Sequence, residues 1–233
     1  MIAYLPNEAK EELAESRQGL AKDLEAALHV KVKEFLASDY NAAIEAMRTG
    51  KADIANFGPL SYSQAHERAK AEALVAPALD GKIENSGYYS YIVANKKKND
   101  KINAITDLKG KKFAFVDANS TSGNLVPSFE ILKALNDSKL TFEDLHTNGK
   151  FFESVTFSGA HQNGLQAVAK GDLDAAPVAS DIYEREIQAK RVDAEAVKII
   201  AKSSMIPGSP IAIRSDLPDD VKKISQRFSP EIR

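Results

Sequence analysis

The sequence predicts an α/β protein built from two similar lobes. Three observations carry that prediction. Short apolar runs alternate with stretches of helical periodicity along the chain, the pattern of layered strands and helices with largely parallel pairing. A helix–strand–helix segment starting at Tyr40, preceded by a strand, is matched 121 positions later, starting at His161. The chain has 233 residues, 43% of them hydrophobic, enough to form cores without disulfides or metals.

The elements follow in order. Ile2–Leu5 reads as a core strand. Glu8–Leu28 reads as a helix, with Leu13, Leu20, Leu24 and Leu28 at helical spacing. Val30–Ala37 reads as a strand, Val30 and Val32 alternating with Lys31 and Lys33. A helix over 41–49, a strand over 53–57 and a helix over 60–70 come next. Strands are predicted over 74–79, 88–95 and 112–116. A helix follows from about Ser122 to Leu135. The second half continues with a strand over 154–157, a helix over 162–170, a strand over 174–178 and a helix over 182–190. Strands over 197–201 and 210–213 and a helix over 221–228 complete the chain.

Thirty-one basic and 33 acidic residues give a formal charge of −2, which excludes a general nucleic-acid binder. The absence of cysteine excludes a disulfide framework, a thiol nucleophile and a thiolate metal site. No apolar run approaches the length of a membrane span. The chain opens directly on a strand with no signal peptide, so an exported parent would have lost its leader, and the end at Arg233 looks abrupt.

The repeat runs through Tyr40-Asn-Ala-Ala-Ile44, Gly50 and Asp53 in one copy and His161-Gln-Asn-Gly-Leu165, Gly171 and Asp174 in the other. Two generic βαβ units can match by coincidence; two similar lobes are the sharper reading. The glycines fall where a helix end takes a left-handed residue. Asp53 and Asp174 suit turns or caps better than catalysis. The chain is expected to cross between lobes near Ser90-Tyr91 and to return near Ser203–Gly208. Lobe I is then 1–91 with 203–233, and lobe II is 92–202. The run Asn95-Lys-Lys-Lys-Asn-Asp100 reads as a solvated turn.

The strongest chemical signal is Phe113-Ala-Phe-Val-Asp117-Ala-Asn-Ser120-Thr-Ser-Gly123-Asn-Leu-Val-Pro127. A buried strand runs into three consecutive hydroxyls and a glycine, then into a helix. Unpaired first-turn amides, hydroxyls and the helix dipole together suit an oxyanion. A plain N-cap needs only one of these hydroxyls. Neither the phosphate loop ending in Gly-Lys-Ser/Thr nor G-x-G-x-x-G is present, so a small oxyanion fits better than a nucleotide, and no cofactor is expected. Tyr40 and His161 hold equivalent places after a strand and before a helix, where open α/β sheets bind ligands. Both can face a shared cleft with Ser120, Thr121 and Ser122. His161 would supply an N–H donor, though a loop histidine can equally be a bystander. There is no nucleophile elbow, no H-E-x-x-H and no metal spacing among the histidines at 29, 66, 146 and 161.

Ala52-Asp-Ile-Ala-Asn-Phe-Gly-Pro-Leu-Ser-Tyr62, Gly87-Tyr-Tyr-Ser90, Ser120-Thr-Ser-Gly123, Ser158-Gly-Ala-His161, Gly171–Ala176 and Ile206-Pro-Gly208 occur together in one order. In this the chain resembles the phosphate/phosphite/phosphonate-binding proteins of ABC importers, over nearly all its length. The resemblance implies a type II periplasmic-binding-protein fold, with two α/β lobes, hinge strands and a ligand cleft. It implies a monomeric, non-enzymatic receptor outside the cytoplasmic membrane, free or lipid-anchored, with an ABC permease as partner. It assigns ligand contacts to Ser120, Thr121, Ser122, His161, Tyr40 and Tyr88. Relatives that take amino-phosphonates add two acids. One of these positions falls on Asp181 and the other on Ser209, which is not an acid, so phosphate, phosphite or a small alkylphosphonate is expected. The rival readings are an input protein for a signalling kinase, an enzyme, and a receptor for another oxyanion such as a sulfonate.

Overall fold

The computed structural model describes residues 1–7, 10–76, 86–97 and 101–227. Glu8, the end of the predicted strand at 77–79, the basic run from Lys98 to Asp100 and Phe228 lie outside those residues. The chain divides into two compact units, Met1–Gly87 with Pro207–Arg233, and Tyr88–Ile206.

In chain order the first unit holds β1 (Ile2–Tyr4), α1 (Lys10–Leu28), β2 (Glu34–Leu36), α2 (Tyr40–Arg48), β3 (Ile54–Asn56), α3 (Pro59–Ala69) and β4 (Ala71–Val75). After β5 (Gly87–Tyr88) the second unit holds β6 (Ser90–Asn95), β7 (Lys112–Phe115), α4 (Val126–Leu135), α5 (Phe142–Leu145), β8 (Ser154–Phe157), α6 (His161–Lys170), β9 (Ala175–Ala179), α7 (Ser180–Gln188) and β10 (Val197–Lys202). The chain returns through β11 (Ile206–Pro207), which pairs with β5, and closes the first unit with β12 (Ile211–Arg214) and α8 (Asp219–Arg227).

The two sheets share one topology. The first runs β2-β1-β3-β12-β4; the second, read from β8, runs β8-β7-β9-β6-β10. In each, three parallel strands come first, and an antiparallel strand follows beside the third. The 121-residue offset is therefore a repeat of architecture. Its aspartates act alike. Asp53 donates its N–H to the Met1 carbonyl and takes the terminal ammonium at 2.7 Å. Asp174 donates to the Lys112 carbonyl and accepts the Lys112 N–H at 2.9 Å. Each acid clips the start of the parallel strand beside its own, β1 for Asp53 and β7 for Asp174.

Both sheets are covered on both faces, and strand residues alternate between the covers. Ala3 joins the core under α2 and α3, while Ile2 and Tyr4 join the one with Leu20 and Leu24. Ile92 and Ala94 join the core of Phe113, Phe115 and Ile131; Tyr91 and Val93 join that of Leu165, Val178 and Ile182.

Several details differ from the sequence reading: β4 starts at Ala71, three residues before the strand expected from 74, and α5 has no expected counterpart. Only Glu34–Leu36 of the 30–37 run is strand, because β1 offers just three residues to pair with. The division between units falls a few residues outside the expected crossings. Ser90 is already paired with Ala179 in the second sheet, and the Ser203 N–H donates to the Ser90 carbonyl, so 88–91 and 203–206 go with the second unit. The helix expected from Ser122 opens one residue earlier as a π-turn, Thr121–Leu125, before α4 begins.

Candidate functional site

The candidate residues of the second unit gather where its sheet presents strand carboxyl ends. β7 ends at Phe115 and β9 at Ala179, and antiparallel β6 starts opposite Ala179 at Ser90. The π-turn packs on β9 and β6.

Ser120 caps that turn. Its Oγ accepts the Gly123 N–H at 3.0 Å, so this one hydroxyl takes the plain cap role and keeps only its own O–H to donate. The turn closes with i→i+5 bonds, Leu125 N–H to the Ser120 carbonyl at 3.1 Å and Val126 N–H to the Thr121 carbonyl. Such a first turn has no internal acceptor for the amides of Ser122 and Asn124. Ser122 is itself 2% exposed. Thr121 is buried beside it.

Gly123 allows the turn to sit this close to the sheet. The Val116 N–H donates to the Gly123 carbonyl at 3.0 Å, and a Cβ on Gly123 would overlap the Val116 side chain and stand 2.7 Å from Ser120 Oγ. Ser90 braces the other side, its Oγ donating to the Ser122 carbonyl at 2.6 Å and its N–H to Ser203 Oγ at 2.9 Å. Tyr89 exchanges bonds with Ser180, its N–H to Ser180 Oγ at 3.0 Å and its carbonyl accepting the Ser180 N–H at 2.9 Å. The Gly87-Tyr-Tyr-Ser90 segment is thus tied both to the π-turn and to the start of α7. Tyr88 is half-buried against the α6/α7 core.

His161 is the first residue of α6, and Tyr40 is the first residue of α2, as the repeat requires. The His161 ring is 3% exposed, and its Nδ1 accepts the Ala179 N–H at 3.2 Å. Burial drives its pKa down to about 4, against an opposing pull from the Pro177 carbonyl. The ring is neutral at physiological pH, and with Nδ1 accepting, its hydrogen sits on Nε2. The Gly159 turn that delivers it has φ +75°, and Ser158 and Gly159 N–H groups donate to the carbonyls of Phe115 and Val116 at 2.8 Å.

Tyr40 belongs to the first unit, 3% exposed within that unit's core. Asp181, in the first turn of α7, is 59% exposed and forms an i,i+4 ion pair with Arg185 at 3.7 Å. Sequence reasoning missed Asn124, buried in the π-turn with its Nδ2 donating to the Ala118 carbonyl at 2.9 Å. Only its place directly after the Ser-Thr-Ser-Gly motif signalled it. Among the described residues no His/Asp/Glu cluster could hold a metal ion, and no helix is long and apolar enough to cross a membrane.

The family described as ABC transporter, phosphonate, periplasmic substrate-binding protein matches residues 2–229. The chain is 31% identical over 226 residues to the phosphonates-binding periplasmic protein of Escherichia coli K12, covering 95% of this chain and 62% of that protein. It is 30% identical over 230 residues to the phosphate-import protein PhnD of Mycolicibacterium smegmatis, covering 98% and 70% respectively. The chain thus spans less than two thirds of the E. coli relative's length. A binding-protein component of an ABC phosphonate transporter from Pseudomonas aeruginosa superposes with TM-score 0.83 at 30% identity, over 97% of this chain and 72% of that one. PhnD1 from Prochlorococcus marinus, in complex with methylphosphonate, superposes with TM-score 0.81 at 23% identity, over 97% and 82%. The fold is that of type II periplasmic binding proteins. By sequence match across almost its whole length, this chain belongs to the family of periplasmic substrate-binding proteins of phosphonate ABC transporters.

Proposed function

We propose that this protein is the extracytoplasmic receptor of an ABC importer and binds a small phosphorus oxyanion: phosphate, phosphite or a small alkylphosphonate. The observation that carries the proposal is the π-turn at residues 121–125, with the buried Ser120, Thr121 and Ser122 beside first-turn amides and a glycine pressed against the sheet. In this reading Ser120, Thr121 and Ser122 donate their hydroxyls, the turn donates main-chain N–H groups, and His161 donates Nε2–H. Tyr88 adds a phenol from the segment tied to the turn. Tyr40 and Asp181 rest on family resemblance alone.

Every donor in the set is neutral. Hydrogen bonds to a charged acceptor contribute about 1.5–3 kcal/mol each, so five of them support sub-micromolar affinity after the cost of association. Neutral donors also suit a receptor that must release its anion to a membrane permease, the partner that the family supplies. A catalytic role would require a group poised to move a proton, and His161 is held neutral against the main chain of β9. The reading is therefore binding without turnover.

A thermal-shift series with phosphate, phosphite, methylphosphonate, 2-aminoethylphosphonate and sulfate, followed by calorimetry, tests this directly. A ligand that binds only the folded state raises the melting temperature by mass action. At least one phosphorus oxyanion is expected to stabilise the protein and sulfate is not. A protein indifferent to all the phosphorus compounds, or one stabilised only by sulfate, would overturn the proposal.

A further inference from the structure

One histidine outside the donor set has a geometry that the anion site alone does not explain. His146 follows α5 and lies half-buried between aromatic rings, 4.4 Å from the Phe115 centroid and 4.3 Å from that of Phe142, close to parallel with both. Its Nδ1 is 2.7 Å from the Phe142 carbonyl, and its Nε2 is 2.6 Å from Asn124 Oδ1. The orientation of the Asn124 amide follows from its other bond: Nδ2 donates to the Ala118 carbonyl, which turns Oδ1 toward the histidine. An amide oxygen only accepts, so Nε2 donates to it.

We infer that His146 is a positioning residue for the anion loop, donating from Nε2 to Asn124 Oδ1 so that Asn124 is locked and the π-turn at residues 121–125 keeps its shape. Asn124 is the middle link. Its amide joins the strand-to-turn connection at Ala118 to a ring clamped in the Phe115–Phe142 stack. A π-turn is an uncommon conformation. Without the strut, the turn can revert to ordinary helical bonding, which re-aims the Ser122 hydroxyl and the adjoining amides. The groups set against the ring by β7, β8 and the turn, Phe115, Phe157 and Asn124, carry no charge. On α5 itself, the Asp144 carboxylate is engaged by the Thr141 N–H and hydroxyl, while Glu143 is exposed. On α4, which packs against α5, the charged residues are Glu130 and Lys133. This inference rests on the functional reading above only for its effect on ligand.

The test separates the two. In ligand-free protein, hydrogen exchange is followed at the Leu125 and Val126 amides, which close the π-turn. In His146→Leu their exchange is expected to rise about tenfold or more, and in Phe142→Leu, which trims the stack but keeps the strut, it is expected to stay near wild type. Equal exchange in wild type and His146→Leu overturns the inference, as does an equal rise in both variants, which would mark a merely structural role. Should His146→Leu fail to fold, ring nitrogen NMR of the wild type decides: a hydrogen on Nε2 bonded to Asn124 supports the strut, and a bare Nε2 overturns it. Methylphosphonate calorimetry is the second arm. Affinity is expected to fall about tenfold in His146→Leu and within about twofold in Phe142→Leu. Wild type that binds no phosphorus oxyanion overturns the functional reading, while the exchange result still decides the strut.

Discussion

The main-chain N–H of Ala179 donates to Nδ1 of His161 at 3.2 Å, so the last residue of β9 holds the first side chain of α6 in its neutral form. Burial lowers the folded pKa to about 4 from the usual 6.5. The unfolded chain then binds more protons than the folded one between those values. Stability from this group is complete above pH 6.5 and is lost as pH falls toward 4, by an amount on the order of 3 kcal/mol. The measurement is the pH dependence of unfolding for wild type minus that for His161→Gln. A difference that is flat between pH 7 and 4 would contradict the assignment.

Gly123→Ala places a methyl group against the Val116 side chain and close to Ser120 Oγ. Overpacking of this kind costs about 1–3 kcal/mol. In a domain of this size that corresponds to a fall in melting temperature of roughly 2–4 °C per kcal/mol. Oxyanion affinity should fall as well, because the turn must move off the sheet. Unchanged stability and binding would show that the turn does not need this close approach.

Ser90→Ala removes the 2.6 Å bond to the Ser122 carbonyl and leaves a buried acceptor without its donor. The main-chain bonds to Ser203 remain. The expected cost is about 1–3 kcal/mol in denaturant titrations at unchanged m-value. Methylphosphonate binding should weaken alongside. A neutral substitution would mean that the segment at residues 87–90 does not brace the turn.

Asp181→Asn removes an exposed carboxylate whose partner is Arg185, an i,i+4 pair worth a few tenths of a kcal/mol. Calorimetry should give an affinity for phosphate or methylphosphonate within about twofold of wild type. A large loss confined to 2-aminoethylphosphonate would instead show that this acid reads an amine.

Much of this was legible from residues alone because local rules act within a few positions. Gly50 and Gly171 adopt positive φ after α2 and α6, as helix ends with glycine do. The clip roles of Asp53 and Asp174 follow from their shared place before β3 and β9. Where sequence reasoning erred, a partner distant in the chain decided. Val30 and Val32 alternate like strand residues, yet pairing with β1 begins only at Glu34. Three hydroxyls in a row look equivalent, yet Ser120 is used by Gly123, and Ser122 is held through its carbonyl by Ser90, 32 residues away.

The sequence by itself determined the α/β class, the doubled architecture and the location of a hydroxyl-rich strand-to-helix loop, since periodicity, glycine punctuation and hydroxyl spacing are properties of neighbours. Tertiary structure alone decided the donor chemistry. The hydrogen on His161 is placed by a main-chain amide 18 residues away, and the shape of the π-turn is set by contacts from Val116, Ser90 and His146. Burial and hydrogen-bond direction exist only once the chain is folded, and these choose which groups can still bind a ligand.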